Sequence, residues 1–266
     1  MNESIVIIPT YNEIENIEAI VRTVMNLSIA FDLLIVDDGS PDGTALRIKT
    51  LQQEFPGRLH LEERKGKMGL GTAYIHGFRY AIRHGYQYIF EMDADFSHNP
   101  DDLVKLHYAC AEEGYDVAIG SRYSNGVNVV NWPMSRVLLS YFASRYVQFI
   151  TGLPIHDTTA GFKCYRRRVL ETIQLHKIRF VGYAFQIEMK FLAWKYGFRI
   201  TELPIIFTDR TKGQSKMSKG IFREAIIGVI HMKVSSFFKR YPNHRNLIEE
   251  RLRTVSQKSA LSRQKH

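Results

Sequence analysis

Cysteine is nearly absent from this chain. Only Cys110 and Cys164 occur in 266 residues. Two thiols make no disulfide framework, and the expectation is a pair of reduced cysteines in a cytosolic protein. Long hydrophobic runs are missing too: no stretch reaches the ~18 uninterrupted apolar residues of a membrane span. The opening residues Met1-Asn2-Glu3-Ser4 carry no basic segment and lead straight into a strand-like run, so no secretory leader is expected. There is no internal repeat and no linker-like segment. The first strand is not followed by Gly-x-Gly-x-x-Gly, which disfavours a dinucleotide-binding dehydrogenase. Gly66 to Gly71 lacks the Lys-Ser/Thr ending of a P-loop. No nucleophilic triad is visible either, because His76, His98 and His156 are scattered and each reads best as a turn or core histidine.

What is present fits a folded α/β protein. Apolar residues make up 45% and charged residues 24%, both ordinary proportions. The length suits one large domain, with or without an appendage. The net charge of +9 is not ordinary, and it points to phosphate, nucleic acid or an anionic membrane as a partner. Nucleic acid is the disfavoured member of that set, because the basic residues are interleaved with acidic turns that repel a polyanion.

The run Ser4-Ile5-Val6-Ile7-Ile8 is apolar and β-branched, as in a central parallel strand buried on both faces. Asn12 and Glu15 have capping-box spacing ahead of a helical pattern of Ile14, Ile17, Val21, Val24 and Met25. Strands are further expected over 33–36, 59–61, 86–90, 116–122 and 203–207. Helices are expected over 45–54, 72–84, 100–113, from after Arg136 to about Ile150, and over 221–238. Strands and helices alternating at this spacing predict a mostly parallel, doubly wound sheet. Ligands bind such sheets beyond the carboxyl ends of the strands. Three polar, acidic turns fall there: Tyr11 to Glu13, Asp37 to Asp42, and Asp93 to Asp95.

Asp93-Ala94-Asp95 is the centre of that pattern. Two carboxylates one residue apart at a strand exit can hold Mg²⁺ or Mn²⁺, and the cation can hold a diphosphate. Asp38 is the best candidate among the acids after the second strand for contacting a nucleoside. Arg122 ends a strand at the same edge, and Arg136, Arg210 and Lys216 supply further cations; the last two lie in a Gly-containing loop suited to closing over phosphates. A hydroxyl acceptor needs a base to take its proton, whereas a phosphate monoester is already anionic and needs cations.

These segments resemble family 2 glycosyltransferases, and within them the dolichol-phosphate mannose synthases. The resemblance runs from Ile5 to about Phe238. It is carried by Ile8-Pro9-Thr10-Tyr11-Asn12-Glu13, Val36-Asp37-Asp38-Gly39-Ser40-Pro41-Asp42-Gly43-Thr44, Gly69-Leu70-Gly71-Thr72-Ala73-Tyr74, Met92-Asp93-Ala94-Asp95, Gly120-Ser121-Arg122-Tyr123 and Asp209-Arg210-Thr211-Lys212-Gly213-Gln214-Ser215-Lys216. It implies a GT-A (Rossmann-like) fold, GDP-mannose as donor, a polyprenyl phosphate as acceptor, and inversion at the anomeric carbon. By position, Pro9, Tyr11, Glu13, Val36 and Asp38 would hold the guanosine. Asp93 and Asp95 would bind the metal, with the Ala94 backbone beside the donor. Ser97 stands as a third ligand, in a position where some relatives carry Gln, a better cation ligand. Arg122 would reach the phosphates or the sugar, Arg136 the acceptor phosphate, and Arg210 and Lys216 would close over the diphosphate. A related transferase using UDP-glucose or another nucleotide sugar, or a hydroxyl acceptor, is the alternative.

The implied organisation is a GT-A domain over residues 1–220, an amphipathic helix over 221–240 and a basic, disordered tail over 241–266. Ile226, Ile227, Val229, Ile230, Val234, Phe237 and Phe238 can line one side of that helix, which either lies on the cytoplasmic face of a membrane or packs on the domain. Peripheral attachment of this kind leaves room for small membrane subunits as partners.

Overall fold

The computed structural model describes residues 2–209 and 219–243. Arg210, Lys216 and the tail from residue 244 lie outside the described residues, as does the loop that Arg210 and Lys216 belong to. The elements run β1 (Ser4–Thr10), α1 (Ile17–Met25), β2 (Asp32–Asp37), α2 (Thr44–Glu54), β3 (Leu59–Glu63), α3 (Leu70–Arg83), β4 (Tyr88–Glu91), α4 (Asp102–Ala111), β5 (Val117–Ser121), β6 (Val129–Val130), α5 (Met134–Thr151), β7 (Lys163–Arg166), α6 (Arg167–Thr172), α7 (Tyr183–Lys195), β8 (Ile200–Pro204), β9 (Phe207–Thr208) and α8 (Lys219–Phe237).

Seven strands form one sheet in the order β3-β2-β1-β4-β7-β5-β8. Every neighbouring pair is parallel except the two made by β7, which runs antiparallel between β4 and β5. Alternate residues of a strand bury on opposite faces. Ile5 and Ile7 join Leu34, Val36, Tyr74, Phe78 and Phe185 on the side of α3 and α7. Val6 and Ile8 join Leu33, Ile35, Ile17, Ile20, Leu103 and Leu106 on the side of α1, α2 and α4. Both faces are covered, which is why the strands read as continuous apolar runs rather than alternating ones. Cys110 and Cys164 are free thiols buried in the second layer.

Several expectations change. The Asn12–Glu15 capping box is not formed: Asn12 is left-handed (φ 57°), and α1 begins at Ile17, whose N–H donates to the Glu13 carbonyl. β7 and α7 were not expected. The late strand lies at 200–204 rather than 203–207, and Phe207–Thr208 instead pairs with β6 in a small second sheet. α8 is present and packs through Val229 and Met232 against Val147, Ile187 and Phe191. Val229 therefore points inward, away from the apolar side predicted for it.

Helix α3 approaches the sheet closely because Gly77 carries no side chain. A Cβ there would lie 2.6 Å from Ile7 Cγ2. Elsewhere in a helix, Gly→Ala stabilises by about 1 kcal/mol. At residue 77 overpacking against the central strand costs about 1–3 kcal/mol. Gly77→Ala is therefore expected to lower the melting temperature, and an unchanged or raised value in thermal unfolding would contradict this packing.

Candidate active site

The strand order places a switch point in the sheet. The chain goes from β1 outward to β2 and β3, then returns to β4 on the other side of β1. A crevice opens beyond the carboxyl ends of strands at such a point. The three acidic turns read from the sequence all exit there.

On the β1–β2 side the acids divide into structural and available ones. Asp37 is buried and accepts from Thr10 Oγ1 (2.8 Å), Ser40 N (2.9 Å) and Ser40 Oγ (2.6 Å). Asp42 accepts from Thr44 N and Ile14 N, and Thr44 Oγ1 accepts from Glu13 N. These bonds staple the turn after β1 to the turn after β2. The Asp38 N–H adds to the staple by donating to the Thr10 carbonyl (3.0 Å), but its side chain pairs with Arg64, whose Nε lies 2.6 Å from Oδ1. Arg64 Nη1 also donates to Thr72 Oγ1 at the start of α3. Tyr11 and Glu13 are half-buried at the crevice, with the Lys67 ammonium 5.4 Å from the Tyr11 ring centroid. Pro9 is half-buried beside Val36. Val36, expected at the guanosine, is wholly buried in the core between β1 and β3, so its side chain lines no open surface.

At the exit of β4, Asp93 and Asp95 are half-buried, while Ala94 and Ser97 are buried. Tyr74 donates to Asp93 Oδ1 (3.3 Å), and burial, reinforced by Asp93, drives the Tyr74 phenol well above its usual range. Asp95 Oδ1 accepts the Ser97 N–H (3.1 Å), an Asx turn that fixes the loop. His98 is buried, with Nδ1 4.0 Å from Asp93 Oδ2. Burial pushes its pKa down to about 4, so at neutral pH it brings no positive charge to the carboxylates. The donor set suits Mg²⁺ or Mn²⁺, which take hard oxygen ligands. Among the described residues no three His, Cys, Asp or Glu side chains gather as a cage. Such a cation would hold the Asp pair and leave its remaining positions to phosphate oxygens and water, the usual arrangement for Mg²⁺.

The arginines sit across an aromatic hub from this pair. Phe207 packs against His98 (ring centroids 5.1 Å apart) and Trp132 (5.2 Å). Arg122 lies 5.6 Å from the Phe207 ring centroid and 5.5 Å from that of Trp132, and Arg136 lies 4.1 Å from the same Trp132 ring. Asp157 takes Arg122 in a fork, through Nε (2.7 Å) and Nη2 (2.6 Å), and accepts its backbone N–H as well (3.0 Å). Thr159 Oγ1 accepts a further bond from Nη2 (2.8 Å). Asp157 is fully buried; burial alone raises its carboxyl, but Arg122 outweighs that and holds it below the usual range. Arg136 donates to Asp209 (2.9 Å). The structure thus gathers Asp93, Asp95, Arg122 and Arg136 around one hub.

Residues 5–174 match the family model described as glycosyl transferase family 2. The chain belongs to glycosyl transferase family 2. It is 47% identical over 226 residues to a polyprenol monophosphomannose synthase of Mycolicibacterium smegmatis, covering 85% of each chain. It is 44% identical to an undecaprenyl-phosphate mannosyltransferase of Micrococcus luteus, over 84% of this chain and 90% of that one. Among solved structures, glucosyl-3-phosphoglycerate synthase of Mycobacterium tuberculosis with Mn²⁺ and UDP shares the fold. Its TM-score is 0.62 at 15% identity, over 87% of this chain and 80% of that one. A Pyrobaculum calidifontis mannosyltransferase with GDP-Man and Mn²⁺ gives 0.53 at 16% identity, over 87% and 70%. The GT-A type of sheet expected from the sequence resemblance is the one observed.

Sequence reasoning missed four participants in this transferase. Arg64 follows β3, and its pairing with Asp38 after β2 depends on the two strands lying side by side. Asp157 and Trp132 meet the arginines only in the folded chain. Glu202, from β8, accepts from Ser121 Oγ and from the His156 and Asp157 N–H groups, and so fixes the turn that holds Arg122.

Proposed function

We propose that this protein moves mannose from GDP-mannose to a polyprenyl monophosphate, with inversion and with a divalent cation on the donor diphosphate. The observation that carries this is the state of the carboxylates on the acceptor side. Asp157 is taken by Arg122 and Asp209 by Arg136, and the neighbouring His98 is buried with its pKa depressed. A hydroxyl acceptor would need one of them as a base. A phosphate monoester brings about −1.5 to −2 charges at neutral pH and needs none.

In this reading an oxygen of the lipid phosphate attacks the anomeric carbon from the face opposite GDP. The new C–O bond forms as the bond to the diphosphate breaks, and the electron pair leaves with GDP. Asp93 and Asp95 would hold the cation, which supplies Lewis-acid stabilisation of the leaving diphosphate. Asp38, oriented by Arg64, faces the nucleoside; Tyr11 offers a ring, and Glu13 and Pro9 complete the wall. Arg122 and Arg136, kept rigid by their acids and by Trp132, direct the incoming phosphate. The assay is mannosyl transfer to a short polyprenyl phosphate with a panel of nucleotide sugars. Preference for a UDP-sugar, or for a hydroxyl acceptor, would overturn the reading.

The surface beside Arg136 supports a membrane-borne acceptor. No helix among the described residues is long and apolar enough to cross a bilayer. Yet α5, which begins two residues before Arg136, exposes Met134, Leu138, Phe142 and Phe149. It packs beside α8, which exposes Ile227, Ile230, Val234 and Phe237. Tyr146 on α5 donates to the Ile226 carbonyl on α8. Such a double apolar face suits contact with lipid. Removing α8 would also strip the cluster around Val147 and Phe191, so point changes test it better. Ile230→Asp with Phe142→Asp should cut vesicle binding by about tenfold or more, leaving soluble GDP-mannose binding intact. Unchanged sedimentation with vesicles would refute membrane docking by this face.

A further inference from the structure

Two lysines lie wholly inside the protein, Lys163 on β7 and Lys190 on α7. Lysine is almost never fully buried unless paired. Here the carboxylate of Glu91 pairs with Lys163. Lys163 Nζ lies 3.1 Å from Glu91 Oε2 and donates to the Ala160 carbonyl (3.3 Å) and to Gln186 Oε1. Gln186 Nε2 donates to the same Glu91 oxygen (2.7 Å). Lys190 Nζ has no carboxylate among its hydrogen bonds. It donates to the carbonyls of Ala160 (2.6 Å), Thr158 (2.9 Å) and Gln186 (3.4 Å). Burial lowers the pKa of both ammonium groups, and Lys190 is driven further down, with Lys163 itself adding to the effect.

The core does not require this. Well-packed apolar residues usually serve stability as well as a buried ionic network or better. What the two lysines provide is fixed placement of a short turn. Both converge on the Ala160 carbonyl, and Lys190 holds the Thr158 carbonyl too. Asp157 and Thr159, the residues that grip the Arg122 guanidinium, belong to the same turn. The other end of the network is Glu91, the last residue of β4, two positions before Asp93.

We propose that Lys190, with Lys163, is a positioning residue that braces turn 157–160 against β4 and so fixes Arg122 relative to Asp93 and Asp95. This rests on the reading of Arg122 as a phosphate-directing group. Lys190 touches no reacting atom. It sets the geometry of the guanidinium, and a misplacement of about 1 Å at a reacting centre can cost on the order of a hundredfold in rate.

A double-mutant cycle on the full chain tests the brace. Lys190→Met should lower kcat with a short polyprenyl phosphate by roughly ten- to a hundredfold, while the KM for GDP-mannose stays within about twofold. In an Arg122→Lys background, itself strongly impaired, the same change should cost less than about twofold, because no guanidinium is left to position. Losses that multiply in the double variant would show a general structural role and overturn the brace, as would an unchanged kcat in Lys190→Met alone. Near-normal activity of Arg122→Lys would instead overturn the reading of Arg122 beneath it. Lys190→Gln, which keeps a donor at shorter reach, carries the same cycle if the methionine variant does not fold.

Discussion

Asp95→Ala is expected to abolish transfer and the metal-dependent part of nucleotide binding while leaving the fold intact. Asp95 is half-buried at the exit of β4, where its Oδ1 accepts the Ser97 N–H. Losing that turn contact costs about 1–2 kcal/mol, a fraction of the stability of a domain this size. Losing half of a carboxylate pair is different. Charge stabilisation of a leaving diphosphate by a held cation contributes several kcal/mol, so transfer should fall by about a thousandfold or more. Asp95→Asn sharpens the test. The amide oxygen can still accept the Ser97 N–H, so the loop is preserved while the charge is gone. Both variants should melt near the parent, and neither should show Mn²⁺-dependent binding of GDP by calorimetry. If Asp95→Asn retained that binding, the turn rather than the charge would be what matters, and the cation site would have to be placed elsewhere.

The fold was largely legible because its central strands are buried on both faces. Ile5 to Ile8 and Leu33 to Val36 leave no polar position that could face water, so their identity as central strands needs no tertiary information. The acidic turns beyond them were legible for a related reason: polar groups that interrupt such strands must lie at their ends. β7 was not legible. It is four residues long, Lys163-Cys164-Tyr165-Arg166, and it starts with a lysine. Its place between β4 and β5 depends on Glu91 meeting Lys163 across the sheet, a pairing 72 residues apart. The arginines were seen, but not their partners. Asp157 lies 35 residues after Arg122, and Asp209 lies 73 after Arg136. No periodicity links residues at such distances. The N-terminal cap failed for a local reason: Asn12 is held in a left-handed turn, and its N–H donates to Ser40 Oγ, so the chain does not enter the helix until Ile17. The motif turns thus have two layers. The side chains expected to face ligand are local in sequence, and the groups that hold them rigid are not.

Asp157→Ala carries the largest expected loss of stability, and the reason also separates stability from function. The Arg122 side chain is 11% exposed and that of Asp157 is fully buried. Removing one member of a buried ion pair leaves the other charge without compensation, at a cost of about 3–5 kcal/mol. For a chain of this length the melting temperature should fall by about 10 °C. The pair also gives a pH signature. The folded-state pKa of Asp157 is lowered, so its contribution is fully present above its ordinary value and is lost as pH falls towards the folded one. The parent should therefore lose stability in acid along a limb that Asp157→Ala lacks. Activity should fall with it, because Arg122 loses both the fork and the backbone contact that aim it. The pair Arg122→Met with Asp157→Leu distinguishes the two roles. Two apolar side chains remove the stranded charge, and apolar replacements of a buried ion pair are often neutral or stabilising. Much of the lost melting temperature should return, while transfer to the lipid phosphate stays as low as in Arg122→Ala. Recovery of activity together with stability would mean that the pair only fills space at the end of β5. A variant Asp157→Ala that melts within about 1 kcal/mol of the parent would mean that water already compensates Arg122.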